Sequence, residues 1–333
     1  LTKDHVMTKK YHLLGIGNAI VDVIAAVSDE FLAEHGDAKG AMNLVDQTRS
    51  AKLYQAMPPA EEHSGGSAGN TMAGFAALGG KGAYIGKVKN DQLGRIFAHD
   101  IKAAGVEFLT SPSSDDTPTA SCMILVTPDS ERTMHTYLGA CINLTEDDID
   151  AEHIARSEVV YFEGYLWDLE PAKKAFLKAM KIAKAAGTKV ALTLSDSFCV
   201  GRFREEFLDL VEHHVDILFA NEDEIMSLYE VDDFDDALQH VAGHVSIAAL
   251  TRSEKGCVIV TPDEVHIIDA IPATVVDTTG AGDLFAAGFL YGLTHEYSLA
   301  ESGKIGGICA AEIISHIGAR PAVNLRALVA ERL

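Results

Sequence analysis

From residue 159 onward the chain alternates short apolar runs with amphipathic stretches. Residues 159–162, 189–194, 216–220, 246–250 and 256–260 read as strands. Between them, 171–186 reads as a helix opened by Pro171 and stopped by Gly187. Residues 203–214, 221–229 and 235–241 read as further helices. Strands this continuously apolar must be covered on both faces, which predicts a mainly parallel sheet between two layers of helices. Ligands of such sheets sit beyond the carboxyl ends of the strands. Polar groups gather at those places here: Asn221 and Glu224, Thr251 and Arg252, and the run from Asp277 to Asp283.

The N-terminal third is patterned differently. Leu13-Leu14-Gly15-Ile16-Gly17 reads as a first strand, followed by Asn18 and, four residues on, Asp22. Residues 23–42 lack a clean helical period. Residues 120–125 and 133–138 alternate like exposed antiparallel strands, split by the turn Thr127-Pro128-Asp129-Ser130. These pieces predict a small β-strand lid, roughly 23–63 and 117–141, inserted in one large α/β domain spanning 1–333. No linker, internal repeat or low-complexity tract divides the chain.

Charge narrows the partners. The formal net charge is -22, from 49 acidic and 27 basic residues. A nucleic-acid binder needs a basic footprint, so that class is set aside. Five scattered cysteines without a CxxC point to reduced thiols and a cytoplasmic setting. No apolar run reaches the ~18 residues of a membrane span, and residues 1–10 carry no signal-peptide core. Met7 stands as a candidate natural start.

Two glycine-rich turns carry the chemistry. Asp277-Thr278-Thr279-Gly280-Ala281-Gly282-Asp283 follows the β-branched run Thr274-Val275-Val276 and precedes an apolar segment. It reads as strand, turn and helix start, either an ordinary tight turn with Asp283 as an early helix acid or a site where unpaired N–H groups and the helix dipole attract an anion. Ser64-Gly65-Gly66-Ser67-Ala68-Gly69-Asn70 precedes a second helix. Asn70 there is either a helix cap or a two-way hydrogen-bonding group for a hydroxyl. Asn221 and Glu224 are one helical turn apart and read alone as a cap with a surface acid. Nothing fits a Walker A motif, and Gly15-Ile16-Gly17 lacks the third glycine of a dinucleotide fingerprint, since residue 20 is Ile.

Asn18 with Asp22, Gly65-Gly66 with Asn70, Asn221 with Glu224, and 277–283 together resemble the PfkB, or ribokinase-like, family of carbohydrate and nucleoside kinases. The likeness keeps motif order over nearly the whole chain. Within the family it is nearest to the adenosine kinases. Gly17-Asn18 with Asp22 resembles their G-N-x-x-x-D, and Leu194-Ser195-Asp196-Ser197-Phe198 and Val215 to Glu222 resemble their central segments.

The resemblance implies a ribokinase-like three-layer α/β/α fold and ATP-dependent phosphorylation of the 5′-hydroxyl of adenosine to AMP. Asp283 would be the base, and Gly280, Ala281 and Gly282 the anion hole. Asp22 would take the ribose diol, with Asn18, Gly65, Gly66 and Asn70 completing the sugar contacts. Arg132 would meet the phosphate, and Leu138 and Tyr165 the base. Asn221 and Glu224 would hold Mg²⁺ through water. Asn221, Thr251, Gly256 and Thr279 would line the ATP site. Asp277 and Thr279, with backbone oxygens around Ala310 and Gly318, would hold a monovalent cation such as K⁺. A monomer is favoured over a dimer.

One departure stands out. The family's T-x-G-x-x-G reads here Thr251-Arg252-Ser253-Glu254-Lys255-Gly256, with Ser253 in place of the first glycine. Rival readings are a ribokinase- or fructokinase-like sugar kinase, a guanosine or inosine kinase, and a non-catalytic binder. The retained Asp283 and glycines speak against the last.

Overall fold

A computed structural model describes residues 8–35, 38–129 and 131–333. Met7 and Ser130, singled out from the sequence, lie outside the described residues. In chain order the strands are β1 (Tyr11–Ile16), β2 (Ile20–Ala26), β3 (Met42–Leu44), β4 (Glu61–Ser64), β5 (Gly82–Ile85), β6 (Val106–Phe108), β7 (Ala120–Val126), β8 (Arg132–Tyr137), β9 (Ser157–Glu163), β10 (Lys189–Thr193), β11 (Ile217–Asn221), β12 (Ile247–Thr251), β13 (Cys257–Val260) and β14 (Val265–Ile268).

Nine of them form one sheet in the order β14-β13-β12-β11-β10-β9-β1-β5-β6. All its neighbours pair in parallel except β12 with β13 and β13 with β14. Successive side chains of a strand point to opposite faces, and the core divides accordingly. Leu14, Val160, Leu192 and Leu218 pack with the helices Glu170–Ala186 and Arg204–His213 on one face. Leu13, Val159, Ala191 and Ile217 pack with Ser67–Ala77 and Ala281–Thr294 on the other. The molecule is thus a three-layer α/β/α sandwich around a mainly parallel sheet. The strand order reverses direction between β1 and β9, the switch point where such sheets open a crevice.

The other five strands form a second sheet, β3-β8-β7-β2-β4. Val23, Ala25, Met123 and Leu125 bury one of its faces against Leu32 and Leu53 of two short helices. Asp22, Cys122 and Thr136 form a cross-strand row on the opposite face, which looks into the cleft. The segments 23–63 and 117–141 map to this sheet, with strands beginning at Ile20 and Ala120.

Two local expectations change. Residues 120–125 are buried, not exposed, because two helices cover one face of β7 and the cleft wall the other. Residues 20–26 form a strand, in keeping with the lack of a helical period over 23–42: Ile20, Asp22 and Ile24 alternate with buried Val21, Val23 and Ala25. Residues 274–276 are not a strand. The Val276 and Asp277 N–H groups donate to Ile314 O instead of to a neighbouring strand, leaving Val275 61% and Val276 48% exposed.

Candidate active site

The two sheets enclose a cleft of about 1580 Å³ at the carboxyl ends of the main strands. Its centre is the start of the helix Ala281–Thr294. Gly280 caps this helix in the left-handed region (φ 80°), which a side chain would strain. The Ala281 N–H closes back on Thr278 O at 3.2 Å. Of the three donors expected in the anion hole, Ala281 is therefore already engaged in the turn. Gly282 has open space where a side chain would stand.

Asp283 lies in the first turn of that helix. Ser67 Oγ donates to its Oδ1 at 2.7 Å, and Asn70 Nδ2 donates to its Oδ2 at 2.9 Å. Burial raises its pKa, against the pull of those two hydrogen bonds and of Arg320. A carboxylate with a raised pKa is a stronger base than an ordinary Asp. Ser67 was not anticipated, although it sits inside the second glycine turn. Asn70, expected on a substrate hydroxyl, spends its amide on Asp283 and does not line the cleft, while its buried Oδ1 has no partner.

The turn at 64–70 allows the two sheets to meet. A side chain at Gly65 would strike the Asp22 carboxylate at 2.3 Å, and one at Gly66 would strike Asn18 O at 2.3 Å. Asp22 reaches the cleft from β2, and burial raises its pKa from 3.8 to about 6, with Arg320 and Arg132 opposing. Asn18 is 3% exposed, and its N–H donates to Glu163 Oε1 at 2.8 Å. The other Glu163 oxygen accepts from the Ala68 N–H at 2.7 Å. Glu163, at the end of β9, thus ties together both loops of the switch point. Burial pushes its carboxyl to about 7. Sequence reasoning passed over it, although an acid ending the apolar run Val159-Val160-Tyr161-Phe162 was the available signal.

Arg132 is not a solvated loop residue. Its Nη1 contacts Asp277 Oδ2 at 2.7 Å and also donates to Thr279 Oγ1, while the buried Nη2 has no partner. Asp277 Oδ2 also accepts from Gly318 N–H at 2.9 Å, and Oδ1 from Thr279 N–H at 3.0 Å. The Ala310 carbonyl accepts from Ile314 N–H. In this arrangement the positive charge beside Asp277 is a guanidinium, so these residues do not fit a monovalent cation ligated by that carboxylate.

Asn221 and Glu224 form a reciprocal helix cap. Glu224 N–H donates to Asn221 Oδ1 at 2.8 Å, and Asn221 Nδ2 to Glu224 Oε1 at 2.7 Å. Glu224 is no surface acid: it is 6% exposed, lines the cleft, and has its carboxyl pushed to about 7 by burial. Among the described residues no group of three or more His, Cys, Asp or Glu could hold a metal directly. A single buried carboxylate fits Mg²⁺ held through water and nucleotide phosphates.

Thr251 and Gly256 line the far end of the cleft, beyond Asn221. Between them Ser253 adopts φ 50°, the left-handed conformation a glycine would take there, so the substitution keeps the turn. Arg252 is held away by Glu222 at 2.7 Å and lies over the Phe234 ring. Toward Asp22 the cleft wall is apolar. Leu138 is half-buried, and Tyr165 is fixed by a hydrogen bond from its hydroxyl to Ser195 O at 3.3 Å. Phe198, not singled out for a site role, stands 66% exposed in the cleft beneath Arg202. All five cysteines are free and buried. No described helix is long and apolar enough to cross a membrane.

Known proteins share this architecture. The pfkB family carbohydrate kinase model matches residues 40–325. The crystal structure of adenosine kinase from Sinorhizobium meliloti is 53% identical with a TM-score of 0.90, covering 97% of this chain and 99% of that one. A probable sugar kinase protein from Rhizobium etli CFN 42 is 52% identical with a TM-score of 0.91, covering 98% and 99%. Probable fructokinase-6, chloroplastic, of Arabidopsis thaliana is 30% identical over 308 residues, 88% of this chain and 80% of its own. By the family match over residues 40–325 and by the shared sandwich, the chain belongs to the PfkB family of ribokinase-like kinases, enzymes that phosphorylate an alcohol group of a sugar or nucleoside.

Proposed function

We propose that this kinase transfers the γ-phosphoryl group of ATP to the 5′-hydroxyl of adenosine, giving AMP. The observation that carries the choice of acceptor is the apolar wall beside Asp22. Leu44, Met134, Leu138, Tyr165 and Phe198 all line the cleft, and Leu44 and Phe198 are 53% and 66% exposed. A free sugar covers little of such a surface, whereas the flat face of a nucleobase stacks on it. The identity to the Sinorhizobium meliloti adenosine kinase supports the same reading.

In this reading Asp22 accepts hydrogen bonds from both ribose hydroxyls, and Asn18 lies beside the sugar. Asp283, oriented by Ser67 and Asn70, takes the 5′-hydroxyl proton as the phosphoryl group arrives. The N–H groups at Gly280 and Gly282 stabilise the charge on the transferring group, usually the largest catalytic contribution. The unpartnered Nη2 of Arg132 is available to the same phosphate. Glu224, itself oriented by Asn221, would hold Mg²⁺ through water, and the ion would supply charge neutralisation to the ATP phosphates. The five-stranded sheet acts as a lid that excludes water during transfer.

The fructokinase-like relatives favour a second reading, a sugar kinase. A coupled assay with ATP on adenosine, guanosine, inosine, ribose and fructose separates the two. The proposal expects adenosine to have the highest kcat/KM. Turnover of free sugars with none on adenosine overturns it.

A further inference from the structure

Arg320 was singled out in no motif, yet its side chain holds the turn that carries the partners of Asp283. It follows the helix Leu299–Ile313 by a short turn whose Gly318 N–H caps Asp277. Its Nη1 donates to Gly69 O at 2.8 Å, and its Nη2 donates to both Ser64 O and Ser64 Oγ at 2.8 Å. Those residues bracket the turn whose Ser67 and Asn70 hold Asp283 and whose Gly65 lies against Asp22. One planar fork therefore closes both ends of that turn, which a single ammonium could not do.

We propose that Arg320 is a positioning residue for the reaction: it pins the 64–70 turn from beneath and supplies the cationic charge shared by Asp22 and Asp283. The proposal rests on the reading of those two carboxylates as diol acceptor and base.

The charges around the pair show why one is needed. Asp283 is faced by Tyr161 and Glu163 from β9, by Tyr165, by Glu224, by Asp22 from β2, and by Ser67 and Asn70. Asp22 is faced by Cys122 from β7, Arg132 from β8, His63 from β4, and Asp283. The surroundings of Asp283 are thus acidic or neutral apart from Arg320, whose charge opposes burial at both carboxylates. The same two acids act back on the guanidinium, together with Asp100 and Tyr84. Arg132 is already committed to Asp277 and Thr279.

Two variants separate pinning from charge. Arg320→Met is expected to lower kcat about 10- to 100-fold and to move the acidic limb of the kcat/KM profile up by about one pH unit, the low end of what an opposite charge provides. Arg320→Lys keeps the charge and loses the fork, so kcat falls while the limb stays in place. An Arg320→Met enzyme that melts like the parent and keeps its acidic limb overturns the charge role. An Arg320→Lys enzyme with parental kcat overturns the pinning role. Carboxyl ¹³C titration of Asp22 and Asp283 in the ligand-free protein, assigned with Asp22→Asn and Asp283→Asn, reads the charge role without any substrate. Both carboxyls should titrate higher in Arg320→Met, and unmoved titrations overturn the proposal. Failure of the adenosine reading would show in the acceptor panel and leave this titration intact.

Discussion

Arg132 Nη1 lies 2.7 Å from Asp277 Oδ2, joining the five-stranded sheet to the turn that precedes the Asp283 helix. Both side chains are largely shielded from water, at 12% and 5% exposure. The second sheet and the 277–283 turn therefore share one ion pair, and what disturbs the pair disturbs both.

Arg132→Ala leaves the Asp277 carboxylate without its cation. Breaking a shielded pair from one side costs on the order of 3 kcal/mol. We expect a lower urea midpoint, together with faster hydrogen exchange in β7 and β8, where the second sheet loses its tie. Unchanged exchange there would show that the pair does not hold the sheet down.

Asp283→Asn removes the proposed proton acceptor while keeping the shape of the side chain. Turnover should fall by roughly 10²- to 10⁴-fold, the range for loss of a general base. Adenosine affinity by calorimetry should change little, because the diol is assigned to Asp22. Near-parental turnover would reject Asp283 as the base.

The pH dependence of activity follows from Asp22. Burial raises its pKa from 3.8 to about 6, so the carboxylate proposed to accept the diol is lost as pH falls through that value. The profile of kcat/KM should therefore rise with pH on its acidic side, with a midpoint near 6. Asp22→Asn should lower kcat/KM and flatten that limb. A limb still centred near 6 in Asp22→Asn would assign the titration to another group.

Ser253 holds a left-handed backbone at φ 50°. An L-residue there costs about 1 kcal/mol, and glycine returns part of that as extra freedom of the unfolded chain. Ser253→Gly should thus raise stability by at most about 1 kcal/mol in urea unfolding. A loss of stability would mean that the Ser253 side chain makes a contact worth more than the strain.

The sequence by itself determined the parallel sheet, the helix ends and the two glycine turns. Each is written in local signals: continuous apolar strands, Pro171 and Gly187 at helix ends, and glycines where backbone must turn. Asp22, Asp283, Asn221 and Glu224 were singled out through the family resemblance of the motifs that hold them, and all four line the cleft. Glu163, Ser67 and Arg320 were not singled out. Each acts on a partner far along the chain: Glu163 on Asn18 and Ala68, Ser67 on Asp283, Arg320 on Ser64 and Gly69. Only tertiary packing brings those groups within hydrogen-bonding distance. The same holds for Arg132, whose partner Asp277 lies in the other sheet's domain of the fold. Local pattern decided which segments could carry the chemistry. Burial and long-range contact decided how their charges are held, because desolvation and hydrogen bonding depend on neighbours that the linear order separates.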